Sequence, residues 1–160
     1  MDPADRSRLA ELLDLQEGRG PVPLLAEAAI TALLASRPRV AVVGASDRPG
    51  RPSRDVLLAL RRAGLDAVPV TPRFAEVAGV PAYPDLAAAV AASGPFELVD
   101  VFRRAEDCPA HAAEAVAAGA RVLWLQLGIV SWEAARIAHA GGLGVVMDRC
   151  LSVELARRGP

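Results

Sequence analysis

The chain has 160 residues, 52% of them hydrophobic, and a net charge of -1, which suits one domain with a two-sided core. The near-neutral balance and the 4% aromatic content argue against a nucleic-acid partner, which would ask for a basic surface and stacking platforms. Charges run through the first twenty residues, and no apolar run approaches the ~20 residues that span a bilayer, so a cytoplasmic address with no membrane contact is expected. Cys108 and Cys150, unpaired in spacing, indicate neither a disulfide framework nor a metal site.

In chain order, Leu9, Leu12, Leu13 and Gln16 suggest a short amphipathic helix after Pro3, ended by "GRGPVP". A second helix is predicted over 24–36, stopping before Pro38 because a residue preceding proline is pushed out of the helical region. From there strands and helices alternate. The predicted strands are "RVAVV" (39–43), "DAVPV" (66–70), "ELVDV" (97–101), "RVLWL" (121–125) and "GVVM" (144–147), short apolar runs of the kind a parallel sheet buried on both faces requires. Helices are predicted at 53–63, 85–92, 109–118, 132–140 and 151–157, with Gly64, Gly94, Gly119 and Gly141 as stops. The pattern predicts an α/β fold: a single doubly wound, Rossmann-like domain over 38–160, with a mostly parallel five-stranded sheet in the order 3-2-1-4-5. Residues 1–37 are expected to form an N-terminal helical extension packed on it.

In such sheets ligands sit beyond the carboxyl ends of the strands, beside the first one. There the chain reads "VVGASDRPGRPS". Gly44 permits a tight turn, Ala45 keeps the path narrow and Ser46 offers a hydroxyl. The helix starting near Ser53 adds free N–H groups and a positive dipole end, and Arg48, Arg51 and Arg54 add charge. The turn reads as an anion site, although a Gly-Ala-Ser turn beside prolines is also ordinary loop chemistry. The G-x-G-x-x-G spacing of a nicotinamide-dinucleotide site is missing. The second strand ends in Thr71, Pro72 and Arg73, and Asp66 stands at its wrong end to hold ribose hydroxyls. A ribose phosphate would suit Arg73, which leaves NADP and coenzyme A as ligand classes.

The blocks "VVGASDRPGRPS", "VPVTP", "ELVDVFRRAED", "VLWLQLGI" and "VVMDRC", in this order and spacing, resemble the small bacterial CoA-binding proteins. The domain of those proteins is similar to the CoA-binding domain of the succinyl-CoA synthetase alpha subunit. The likeness covers about 38–155. It implies binding of coenzyme A or an acyl-CoA, with Gly44, Ala45 and Ser46 around the pyrophosphate and Arg51 and Ser53 at the next helix start. It further implies Thr71, Pro72 and Arg73 on the adenosine side, where the small proteins commonly carry Val-Asn-Pro. Phe102 and Arg103 would flank the adenine and phosphate, and Leu125 and Gln126 would line the pantetheine path.

The synthetase's phosphorylated histidine and nucleotide-grasping parts have no counterpart in these motifs, so non-catalytic binding is expected, with no catalytic residue assigned. His111 and His139 lie in Ala-rich helical segments and read as packing residues; Cys108 and Cys150 read as structural thiols, and Trp124 and Trp132 as core fillers. Two alternatives stay open. An NADP-dependent oxidoreductase would need a general acid, yet Tyr83 is the only tyrosine and the chain has no lysine. A ligand-sensing interaction module would use the N-terminal helices to hold a protein partner or a second copy as a homodimer.

Overall fold

A computed structural model describes residues 1–159. The N-terminal helices are α1 (Pro3–Gln16) and α2 (Glu27–Ala35). The alternating part then runs β1 (Val40–Val43), α3 (Pro52–Arg62), β2 (Ala67–Val70), β3 (Glu76–Val77), β4 (Val80–Pro81), α4 (Leu86–Ser93), β5 (Leu98–Val101), α5 (Cys108–Ala117), β6 (Val122–Leu125), α6 (Trp132–Ala140), β7 (Gly144–Val146) and α7 (Leu151–Arg157). Each predicted helix and strand is present. The small antiparallel β3–β4 hairpin was not foreseen; its strands have two residues each, too few to show a period.

The main sheet has five strands, all parallel, so the α/β doubly wound class is as expected. The strand order is not. It runs β2-β1-β5-β6-β7, which is 2-1-3-4-5 in terms of the five predicted strands, in place of 3-2-1-4-5. The difference arises at the connection leaving β2, which crosses back over β1 and brings β5 in beside it, with Val40 opposite Leu98. A right-handed crossover in that direction carries α4 to the sheet face opposite α3. Packing fits this path. Leu86 and Ala89 of α4 are buried with Phe96 and with Ala112, Ala115, Ala134 and Ala138 of α5 and α6. Val56, Leu57 and Leu60 of α3 are buried on the other face, with Ile30, Leu33 and Leu34 of α2 and Leu151 of α7. In the expected order α4 would have shared the face of α3 and left the α5–α6 layer without Leu86 and Ala89.

β1, β2, β5 and β6 are buried at every residue, which explains why they read as unbroken apolar runs. The polar exception is Asp100, fully buried in mid-strand. Its Oδ1 accepts from Gln126 Nε2 at 2.6 Å, while its Oδ2 has no hydrogen-bond partner. Burial pushes its carboxyl up to about 8 against the opposing pull of Gln126, so at neutral pH the side chain is largely protonated.

The two N-terminal helices attach differently. α2 buries Ile30, Leu33 and Leu34, and Glu27 joins Arg149, Glu154 and Arg158 in an ion cluster that ties α2 to α7. α1 buries no residue fully. Its attachment includes Trp132, whose indole N–H donates to the Glu11 carbonyl at 3.1 Å and whose ring lies against Gly20; a Cβ at Gly20 would come within 2.0 Å of that ring. Among the described residues no helix is long and apolar enough to cross a membrane.

Candidate functional site

In the order 2-1-3-4-5 the connections leaving β1 and β5 diverge to opposite faces, and the crevice between their carboxyl ends is the topological switch point. A cleft of about 420 Å³ opens there. The turn after β1 forms its base. Gly44 has φ +81, and its N–H donates to the Val70 carbonyl at 2.9 Å. A Cβ at Gly44 would stand 2.5 Å from the Phe102 carbonyl oxygen and 2.9 Å from Arg103 Cδ. Glycine is thus required twice: by the left-handed backbone, and by the close approach of the turn to the chain leaving β5.

Hydroxyls brace the turn. Ser53, buried in the first turn of α3, accepts the Ser46 N–H on its Oγ at 3.0 Å, and Ser46 Oγ accepts the Arg48 N–H at 3.2 Å. Asp47 holds the β3–β4 hairpin against this loop by accepting the Ala78 N–H at 2.7 Å. At the end of β2, Thr71 Oγ1 accepts the Arg73 N–H at 3.2 Å, and the Thr71 N–H donates to the Tyr83 carbonyl at 2.8 Å. Tyr83, weighed from the sequence as a general acid, sits here beside the β2 edge, bridged to Val70.

Of the sequence-derived candidates, Gly44, Ala45, Ser46, Arg51, Thr71, Pro72, Arg73, Phe102 and Arg103 all line this one cleft. Ser53 stands behind it as a brace. Leu125 and Gln126 do not line it: both are buried, and the Gln126 amide is turned inward to Asp100. The sequence reading missed His111 and Glu114 on the α5 wall, with His111 Nδ1 3.6 Å from Glu114 Oε2, and also Phe74 and Asp85. A signal for His111 was available. The helix following β5 begins at the carboxyl edge of the sheet, so its first turn faces the site whatever its amphipathic pattern says.

The charge on the cleft is unevenly neutralised. Arg103 reaches Asp107 at 3.3 Å, and Arg54, nearby, reaches Asp47 at 3.6 Å. Arg48, Arg51 and Arg73 make no ion pair among the described residues and are exposed on the cleft. Three uncompensated guanidiniums, the open backbone of the Gly44 turn and the N-terminal end of α3 together form an anion-attracting surface. Asp66, by contrast, binds Arg39 at 2.7 Å at the amino end of the strands, far from this surface.

Comparison with known proteins bears on the family and the fold. The chain is 40% identical over 130 residues to the uncharacterized protein YneT of Bacillus subtilis, a match covering 81% of this chain and 94% of that one. It is similar to a protein of solved structure from Thermus thermophilus, with 34% identity, a TM-score of 0.77, and coverage of 84% of this chain and 99% of that one. A dinucleotide-forming acetyl-coenzyme A synthetase from Ca. Korarchaeum cryptofilum shares the fold over 67% of this chain and 25% of its own, with 20% identity and a TM-score of 0.57. Residues 38–156, from just before β1 into the last turn of α7, match the family described as CoA binding domain, and the chain belongs to that family.

Proposed function

We propose that the protein binds coenzyme A non-catalytically, with the pyrophosphate on the Gly44–Ser46 turn and the start of α3 at Arg51 and Ser53. Thr71, Pro72 and Arg73 take the adenosine side, and Phe102 and Arg103 flank the adenine and its ribose phosphate. The observation that carries the reading is the set of three unpaired arginines, Arg48, Arg51 and Arg73, converging on one cleft at the switch point. Coenzyme A carries phosphate at two separated places, and so does this basic surface: Arg48 and Arg51 stand beyond β1, and Arg73 beyond β2. Each charge-assisted contact to a phosphate oxygen is worth about 1.5 to 3 kcal/mol.

The pantetheine arm leaves the cleft past the ends of β5 and β6. Because the side chains of Leu125 and Gln126 are packed inward, the Gln126–Gly128 backbone, and not those side chains, borders the arm. Binding without reaction is favoured by the use of the cleft's hydroxyls. Ser46 Oγ and Thr71 Oγ1 accept backbone N–H groups within their own turns, which suits bracing better than attack.

Mass spectrometry of the protein purified and sprayed under native conditions tests the reading. A non-covalent adduct with the mass of coenzyme A or of an acyl-CoA, displaced by added coenzyme A, is the expected result. An adduct of NADP or NADPH that coenzyme A fails to displace would overturn it.

A further inference from the structure

A second cavity, about 560 Å³, lies at the same carboxyl edge of the sheet, between α1 and the loops leaving β5, β6 and β7. Leu12, Ala105, Ile129 and Val130 give it a half-buried apolar patch, and charged residues of both signs, Arg8, Glu11, Arg104 and Glu106, stand around that patch. The cavity is built, not incidental. Gly128, with φ +86, donates its N–H to Asp148 Oδ1 at 2.7 Å, and the Asp148 N–H donates to the Ile129 carbonyl at 3.2 Å, which fixes the two loops to each other. Asp148 holds a φ of +57 to do so.

The cleft and the cavity are neighbours along one line. The cleft spans the ends of β2, β1 and β5, and the cavity those of β5, β6 and β7; consecutive residues, Arg103 and Arg104, belong one to each. At about 4.8 Å per strand, the end of β1 lies roughly 14 Å from that of β7, a span suited to an extended pantetheine arm. A cleft of about 420 Å³ beside the basic turn suits the nucleotide half of the ligand, and the strand ends lead from it toward the second cavity. An unacylated thiol would leave the apolar lining of Leu12, Ile129 and Val130 uncovered.

We propose that this second cavity is an acyl-binding site, so that the ligand is a short-chain acyl-CoA thioester in preference to free coenzyme A, with α1 as the outer wall over the acyl group. The inference rests on the coenzyme A reading of the cleft. α1 stands outside residues 38–156, the part that matches the family, so acyl selectivity is a property added by this chain's N-terminal helix. The sparse attachment of α1, with no residue fully buried, lets the helix lift for ligand entry while the Trp132 contact keeps it near the sheet edge.

Calorimetric titration of the full chain with coenzyme A, acetyl-CoA and butyryl-CoA tests this. Burial of a methylene is worth about fourfold in affinity, so butyryl-CoA should bind roughly fifteenfold more tightly than acetyl-CoA. The ratio should fall in Leu12→Trp, whose indole takes up part of the space beside Ile129 and Val130, and should fall toward one in Leu12→Asp, which puts a charge into the apolar patch. Both changes sit on a helix with no fully buried residue and leave the two cores untouched. A flat acyl series in the wild type, with coenzyme A bound, would overturn the acyl site and leave the coenzyme A reading standing. A fifteenfold ratio that survives both Leu12 variants would also overturn it, whereas failure of all three ligands to bind would overturn both readings together.

Discussion

Replacing Gly44 by alanine adds one methyl group and should cost far more than a surface methyl. The added Cβ would lie 2.5 Å from the Phe102 carbonyl oxygen and 3.1 Å from its carbon, backbone atoms that no rotamer change can move aside. Relief requires the end of β5 to shift away from β1, yet the Phe102 N–H is bonded to the Val43 carbonyl at 2.8 Å and the Gly44 N–H to Val70 at 2.9 Å. The φ of +81 adds a left-handed penalty of about 1 to 2 kcal/mol, and overpacking typically adds about 1 to 3 kcal/mol. The sum, about 2 to 5 kcal/mol, corresponds to a fall in Tm of roughly 4 to 20 °C for a domain of this size. Urea unfolding followed by circular dichroism, compared at equal m-values, gives the difference directly. A Gly44→Ala protein within about 0.5 kcal/mol of wild type would refute the close-approach argument, because surface-like changes fall in that range. The same shift would displace Phe102 and Arg103, so coenzyme A affinity should fall with stability.

Arg51→Ala should fold normally and lose about tenfold to hundredfold in affinity for coenzyme A, measured by titration calorimetry, because an exposed arginine without an ion-pair partner holds little of the fold together. Asp100 sets a pH dependence: with its folded pKa raised to about 8, its contribution to stability is complete below the ordinary aspartate value and is lost as pH rises from there through 8. Asp100→Asn should flatten that part of the profile in denaturant titrations between pH 5 and 9, and an unchanged slope would count against the buried acid. Burial alone would raise the Glu154 carboxyl, but hydrogen bonds from Arg149 and Arg158 outweigh it and hold the pKa below its ordinary value. That stabilisation is present above the ordinary glutamate range and lost as pH falls below it. Glu154→Gln should accordingly lower stability near pH 7, by about 1 to 3 kcal/mol, and reduce the acid sensitivity of thermal unfolding.

The parts of the fold legible in the sequence were those governed by local pattern. Runs such as "VLWL" and "RVAVV" show no alternation because both faces of those strands are covered, and the stops at Gly64, Gly94 and Gly119 mark left-handed residues with φ of +85, +94 and +72. After α6 it is Gly142, with φ +86, that takes this role, while Gly141 closes the helix with φ -84. The strand order was not legible, because the side of β1 on which the third predicted strand lands depends on where Leu86 and Ala89 find company, and that is a contact with α5 and α6 far along the chain.

The site divides in the same way. The Gly44 turn and the residues after β2 and β5 could be read from their positions at strand ends, which parallel topology sends to one edge. His111 belongs with them by its place in the first turn of α5, after β5, and only its Ala-rich neighbourhood hid it, since composition says nothing of which helix end faces the cleft. Leu125 and Gln126 stand at a strand end as well, but the Asp100–Gln126 hydrogen bond draws that side chain into the core, and a buried acid in mid-strand leaves no trace of its partner in the sequence.

On the proposed function, the arginine-lined cleft between β1, β2 and β5 takes coenzyme A through two separated phosphate contacts. Titration calorimetry of the wild-type protein with coenzyme A, dephospho-CoA and NADPH in one buffer separates those two contacts. Coenzyme A should bind most tightly, and loss of the 3′-phosphate should weaken binding by about tenfold to hundredfold, the worth of one charge-assisted contact. NADPH should be weaker still, because the turn after β1 lacks the G-x-G-x-x-G spacing of a nicotinamide-dinucleotide site. Binding of NADPH in preference to coenzyme A, or equal affinity for coenzyme A and dephospho-CoA, would contradict the account.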